Sequence, residues 1–342
     1  LFTEALTNTG ILTNRGYTSY SCVINCDFIN SADASVTNNI YNLTVNIFGD
    51  IQNFGTWDNY RVNLAGSDHA IFCGSSSNFE CQYFYGSTAR GIIYLNSDVE
   101  FINTKIDLEG NNLILQSGNT LTVDGEFLID GSITGNNATL NLTNNAYIAA
   151  ITIDDIILIG TCQVGDNNVL FNGNLVVNGV LQNRSYTSYT CTISDGIINN
   201  GTIRNNPVNY NLYLYIGGDL DNNGIWSNNR VYLDGSVDPH ISCADGSIFA
   251  ISYFYGSGST SSIYFDSDIG FLNSTIDLEG NNLILQIGAQ LSVDGGSLYD
   301  GTITGNNAVI FLQNNAYLQN LNIHNIELQG ICQIKDNNIN FY

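Results

Sequence analysis

Acidic side chains that recur at a fixed spacing are the groups in this chain best suited to chemistry. Asp107, Glu109, Asp124 and Asp130 return 170 positions on as Asp277, Glu279, Asp294 and Asp300, and an adjacent pair, Asp154-Asp155, lies between the two sets. Two carboxylates facing each other across a cleft could hydrolyse a glycosidic bond, and a carboxylate base beside Ca2+ or Arg could cleave an acidic sugar by elimination. Three features argue against both reactions. Asp154-Asp155 becomes His324-Asn325 in the second copy, and the chain holds only two Lys, six Arg and three His. Its 31 acidic and 8 basic residues give a net charge of -23, a field that repels acidic polysaccharides, nucleic acid and anionic lipid. The acids therefore read as solvated corner residues with weak Ca2+ binding as a side role. No catalytic site, cofactor or enzyme activity is expected, and no GxSxG, GxxxxGK or HExxH segment changes that.

The eight cysteines are the next candidates. Cys22, Cys73 and Cys162 have counterparts in Cys191, Cys243 and Cys332, whereas Cys26 and Cys81 are extra. Cys162 and Cys191 are separated by about one coil of a stacked structure, so a disulfide between them is expected, with a local one between Cys73 and Cys81. Cys22 and Cys332 would then pair with further units of a longer array. Disulfides would place the chain in an oxidising, extracellular compartment.

Aromatic residues supply the contact surfaces. Tyr17 and Tyr20 match Tyr186 and Tyr189, Trp57 matches Trp226, and Tyr83 and Tyr85 match Tyr253 and Tyr255. These are candidates for lateral or glycan contacts, although a tryptophan after a turn can equally anchor a coil edge. The Ser-rich, aromatic stretches 66–88 and 235–259 are expected to project as loops or widened coils.

The elements that position these residues follow from the repeat. Ile106–Gln116 and Ile276–Gln286 read the same, IDLEGNNLILQ, and the match extends almost end to end. The chain therefore divides into two tandem units, 1–170 and 171–342, permuted or not relative to the true repeat. Within each, short alternating apolar segments close on Asn, Asp or Gly, and no window carries a capped helical stripe. With 51 Asn, 34 Gly, 2 Pro, 44% hydrophobic residues and 11% charged ones, the composition suits a turn-rich, folded protein with neutral polar corners. Leu113, Leu140, Val169, Leu212, Val231, Ile263 and Leu283 serve as strand centres, giving about seven coils of about 24 residues per unit. The expected fold is all-β: a parallel β-helix, or β-solenoid, whose second unit continues the first. The same Asn-Gly and Asn-Asn dipeptides would also suit the hairpins of a β-meander or sandwich. Starting at Leu1 and lacking Met, the sequence reads as a mature or excised piece.

NLVVNGVLQN, GDIQNFGTWDN and GDLDNNGIWSNN resemble the Asn-Gly-punctuated coils of large repetitive β-helical surface proteins and adhesins of Bacteroidota. The resemblance implies export and a role in attachment, coating or gliding. The combined expectation is a structural fibre or stalk subunit of an extracellular surface filament, extended by end-to-end self-association or by further copies. A carbohydrate-binding adhesin module and a polysaccharide lyase or glycoside hydrolase are the alternatives. Neither nucleic acid nor membrane insertion is expected.

Overall fold

The computed structural model describes residues 5–342, except 185–186, 207–209, 236–237, 257, 259–261 and 337. The protein is an all-β parallel β-solenoid, divided into two compact units, Leu1–Val169 and Leu170–Tyr342. Every strand pairing among the described residues is parallel, so the hairpins of a meander are replaced by stacked turns. Among the described residues no helix is long and apolar enough to cross a membrane.

Each turn lays down three short strands in fixed order, which form three faces. In the first unit, face A begins with Leu6–Asn8, Phe28–Asn30, Ile51–Asn53 and His69–Cys73. Face C begins with Ile11–Thr13, Ser35–Thr37 and Thr56–Asp58, and face B with Tyr20–Ile24, Leu43–Ile47, Arg61–Leu64 and Tyr83–Tyr85. The interval between partners on neighbouring coils varies, from short steps such as Tyr317 to Gln333 to long ones such as His69 to Ile93. Most steps fall below the expected length, and face A of the first unit is accordingly eight strands deep rather than seven.

Alternation builds the core. Leu43, Val45 and Ile47 are buried while Thr44 and Asn46 face outward, because successive strand side chains point to opposite sides. Inward residues then stack into columns. On face B the column runs Cys22, Val45, Val62, Phe84, Ile106, Leu128, Ile148. The second unit repeats it as Cys191, Leu214, Val231, Phe254, Ile276, Leu298, Leu318. Inside face C, Trp57, Phe79 and Phe101 lie 5.0 and 5.2 Å apart, and Trp226, Phe249 and Phe271 lie 5.2 and 5.4 Å apart. Such aromatic pairs contribute about 0.5–1.5 kcal/mol each beyond the area they bury.

Asparagine closes the corners in two ways. Where faces A and C meet, Asn8 donates to Asn30 and Asn30 to Asn53, both at 2.9 Å, forming a ladder in which Asn30 and Asn53 are fully buried. Elsewhere Asn supplies the left-handed backbone of the bend: Asn144 and Asn145 have φ of 48° and 65°, and Asn314 and Asn315 have 50° and 64°. The duplicated IDLEGNNLILQ encodes one such bend. Glu109 and Gly110 take φ of 52° and 76°, and the buried Asn111 turns its amide inward to Ser87 O at 2.7 Å and Leu108 O at 2.5 Å. A side chain on Gly86 of the neighbouring coil would strike the Leu108 carbonyl oxygen, so only glycine fits there.

The cysteine pairing does not occur: none of the eight cysteines is in a disulfide. With coil steps this short, the interval from Cys162 to Cys191 exceeds one turn, so the two are not stacked as the longer step required. The strand holding Cys191 lies against Phe171 instead, whose carbonyl accepts the Ser194 N–H at 2.9 Å. Cys73 caps the asparagine ladder, paired with Asn53 at the A–C corner, whereas Cys81 is buried at the C–B corner, hydrogen-bonded to Thr104. Opposite ends of face C separate them. Cys22 and Cys332 are partly exposed and unpaired.

The stretch 66–88 is likewise no projecting loop. It is one of the longer coils, holding the face A strand His69–Cys73, the face C bridge at Phe79 and the face B strand Tyr83–Tyr85. Its counterpart contains His240–Cys243, the bridge at Phe249 and Tyr253–Tyr255.

Candidate functional site: a tyrosine–arginine face

The outward side of face B collects the aromatic residues. In the first unit Thr44, Arg61, Tyr83 and Lys105 form one outward column, and Asn46, Asn63, Tyr85 and Asp107 the next. The Arg61 guanidinium lies 5.4, 5.3 and 4.9 Å from the ring centres of Tyr60, Tyr83 and Tyr85, with the Lys105 ammonium 5.2 Å from Tyr83. An open groove of about 610 Å³ runs along this surface, with Asn46, Phe48, Arg61, Tyr85 and Glu109 among its walls.

The second unit repeats the motif with more tyrosine. Tyr215, Tyr232 and Tyr255 stack at 4.5 and 4.7 Å, tilted by 14° and 7°, and Arg230 lies 5.2 Å from both Tyr213 and Tyr253 while donating to the Tyr232 hydroxyl at 3.1 Å. The Nε atoms of Arg61 and Arg230 are buried and lack a hydrogen-bond partner among the described residues. Ring faces, rather than carboxylates, hold these cations, which suits a weakly hydrated guanidinium. The one ion pair among the described residues is His240–Asp266 at 2.7 Å.

Electrostatics on this face favour the protonated form of its tyrosine hydroxyls. Burial pushes the Tyr215 and Tyr255 hydroxyls above the usual phenol value, so they stay protonated and donate. Burial, reinforced by a hydrogen bond to Asp277, raises Tyr299 as well. Tyr317 shifts the other way, because Lys335 donates to its oxygen at 3.0 Å. In the stacked row the ring faces cover one another, leaving hydroxyl-bearing edges for a partner.

The acidic corners sit beside this face. Asp107 accepts the Glu109 backbone N–H at 3.0 Å and Asp277 that of Glu279 at 3.0 Å, a local turn function. Burial raises both Asp107 and Glu109, and repulsion from Asp130 adds to it. Asp155 and its counterpart Asn325 share the left-handed backbone, with φ of 50° and 54°, so that position selects a residue tolerant of the bend. No group of three or more His, Cys, Asp or Glu among the described residues is placed to hold a metal ion.

Of the aromatic candidates, the structure brings Tyr83 and Tyr85 together with Arg61, and Tyr253 and Tyr255 with Arg230. Tyr20 and Tyr189 begin equivalent strands in the two units, paired with the inward Leu43 and Leu212. Tyr17 is exposed in the corner before them, its ring 5.2 Å from the Arg15 guanidinium. Tyr186 lies outside the described residues. Trp57 and Trp226 cannot touch a glycan: they are 0% and 1% exposed, and their indole N–H groups donate to Asn59 and Asn228 at 3.0 and 2.9 Å. Arg61, Arg230, Tyr60, Tyr213, Tyr215 and Tyr232 were not foreseen. Their signal is present in the polar positions of LYLYI and RVYL, where period-two alternation places Tyr213, Tyr215, Arg230 and Tyr232 outward. No family model matches the chain, and neither a curated protein nor a solved structure does.

Proposed function

We propose that the chain is a structural segment of an extracellular stalk or surface fibre, lengthened by copying units rather than by adding new folds. The observation that carries this reading is the recurrence of whole inward columns: the seven residues from Cys22 to Ile148 on face B have seven equivalents from Cys191 to Leu318. In stacked repeats each coil is stabilised by its neighbours, so copying a unit adds length without a new core. Parallel backbone pairing and buried asparagine ladders supply stiffness that does not depend on charge. The extracellular placement rests on the resemblance of the Asn-Gly coils to repetitive surface proteins, since free thiols remove the disulfide argument. We assign no reaction to the chain. The tyrosine–arginine faces fit lateral contact with other surface components, through hydroxyl and guanidinium donors.

Electron microscopy tests the reading. Eight coils at about 4.8 Å each rise about 38 Å per unit. Particles of a version carrying two further copies should be longer than those of the parent by about 38 Å per added unit. Particles that gain width but no length would refute a stalk built by copying.

A further inference from the structure

The outer side of the first unit's A–C corner differs from its counterpart in the second unit, and the difference has the form of a binding site. Phe54 and Phe72 lie 5.6 Å apart there, tilted by 51°, and Phe72 is 39% exposed. They form the common wall of two adjoining depressions of about 680 and 460 Å³. The larger is lined opposite the rings by Ser97, Asp98, Glu100 and Thr122. Asp98 spends one oxygen on the Thr120 backbone N–H at 2.8 Å, and neither it nor Glu100 forms an ion pair among the described residues. In the second unit Asn223 and Ser242 replace the two phenylalanines and Gly270 replaces Glu100. That corner satisfies itself: Ser242 donates to Asp221 at 2.9 Å, and Asn223 donates to Asp221 at 3.2 Å and to Asn200 at 3.1 Å.

Going beyond the scaffold role, we propose that this groove binds a glycan chain bearing free amino groups. The exposed ring of Phe72 offers an apolar surface to the C–H face of a sugar, the Thr122 hydroxyl, which accepts from Asn141, has its own O–H left to donate to a sugar oxygen, and the carboxylates of Asp98 and Glu100, outside any ion pair among the described residues, match ammonium groups. The net charge of -23 attracts a polycation and repels a uronic acid polymer. A neutral glycan would meet the rings and hydroxyls but leave the carboxylates uncompensated.

Isothermal titration of the full chain with four hexasaccharides tests this: fully deacetylated glucosamine, its N-acetylated form, a neutral glucan and a galacturonan, with hexalysine as a non-sugar cation. The glucosamine hexamer should bind at one per chain, roughly tenfold or more tighter than the other probes. Phe72→Ser, which installs the second unit's own residue at an exposed position, should abolish binding while leaving the thermal melt in place. Glu100→Gln should weaken binding roughly tenfold and reduce its salt dependence. Equal affinity for hexalysine or the neutral glucan, two sites per chain, unchanged affinity in Phe72→Ser, or no heat from any hexamer at millimolar concentration would each overturn the proposal.

Discussion

Replacing Val177 with Asn should create a hydrogen bond that the first unit has and the second lacks. In the first unit Asn8 donates to Asn30 Oδ1 at 2.9 Å and to Ser35 O at 3.0 Å, while its own oxygen accepts the Gly10 N–H at 3.2 Å. In the second, Val177 pairs with Asn199, and Asn199 Oδ1 is buried without a partner among the described residues. The backbone around the position is already suitable: Thr202 N donates to Gly179 O at 2.8 Å, as Ser35 N does to Gly10 O at 2.9 Å. Satisfying the orphaned oxygen should recover about 1–2 kcal/mol. Burying an amide in place of a fully buried valine forfeits about 1.5 kcal/mol or more, so the single substitution should be close to neutral. The informative quantity is therefore the coupling. In a double-mutant cycle of Val177→Asn and Asn199→Val the lost valine burial cancels, leaving a favourable interaction of about 1–2 kcal/mol. Because stacked repeats open locally, the assay is hydrogen exchange read on peptides covering Ile197–Asn199 and Leu220–Asn222. A coupling below about 0.3 kcal/mol, the scatter of independent sites, would show that the orphaned oxygen carries no penalty and that ladder closure does not stabilise the corner.

Other expectations follow from the same geometry. Intact mass should not change on reduction, and eight thiols should titrate after unfolding; in the native chain Cys81, fully buried with its pKa pushed up to about 12, should resist alkylation far longer than the partly exposed Cys26. Asn59→Ala and Asn228→Ala should each lower stability by roughly 2–3 kcal/mol in hydrogen exchange, since each strands a buried indole N–H and a carbonyl of the preceding coil, Leu43 O or Leu212 O. Asp107 and Glu109 have folded-state pKa values above their ordinary 3.8 and 4.5, so their contribution to stability is full below those values and is lost as pH rises through the folded ones. Asp107→Asn should thus raise neutral-pH stability by roughly 0.3–0.5 kcal/mol at low salt and flatten the melting-temperature profile just above pH 4, whereas an unchanged profile would contradict the repulsion at that corner.

Much of the fold was legible because alternation and turn chemistry are local. LTVNI and LYLYI announce half-buried strands, and the duplicated IDLEGNNLILQ announces a bend. Paired left-handed residues such as Asn144-Asn145 suit the corner of a solenoid and the tip of a hairpin equally, so only the long-range recurrence and the absence of helical stripes favoured stacking. The coil length was overestimated because the strand centres fall on different faces: Leu113 stacks with Ile133, whereas Leu140 stacks with Leu121, so the step from Leu113 to Leu140 spans more than one turn. The disulfide expectation inherited that error directly. The tyrosine–arginine faces stayed hidden for a related reason: Tyr215, Tyr232 and Tyr255 stand far apart in the chain at unequal intervals, and only the register of successive coils makes them neighbours.

Tandem copies within one chain act as controls for each other, and this separates scaffold from site. An inward residue touches the coil below and the coil above, so a change of size must be absorbed by two neighbours in a closely packed column. Phe84, Ile106 and Leu128 accordingly keep their types as Phe254, Ile276 and Leu298. Outward residues answer only to solvent or to a partner, and there the copies diverge in a correlated way: Phe54, Phe72 and Glu100 become Asn223, Ser242 and Gly270 together, with the new polar groups bonded among themselves. The tyrosine–arginine face diverges too, where Asn46 and Asn63 become Tyr215 and Tyr232. What sets the A–C corner apart is that one copy places two aromatic rings beside the Glu100 carboxylate, whereas the other bonds its replacements to one another.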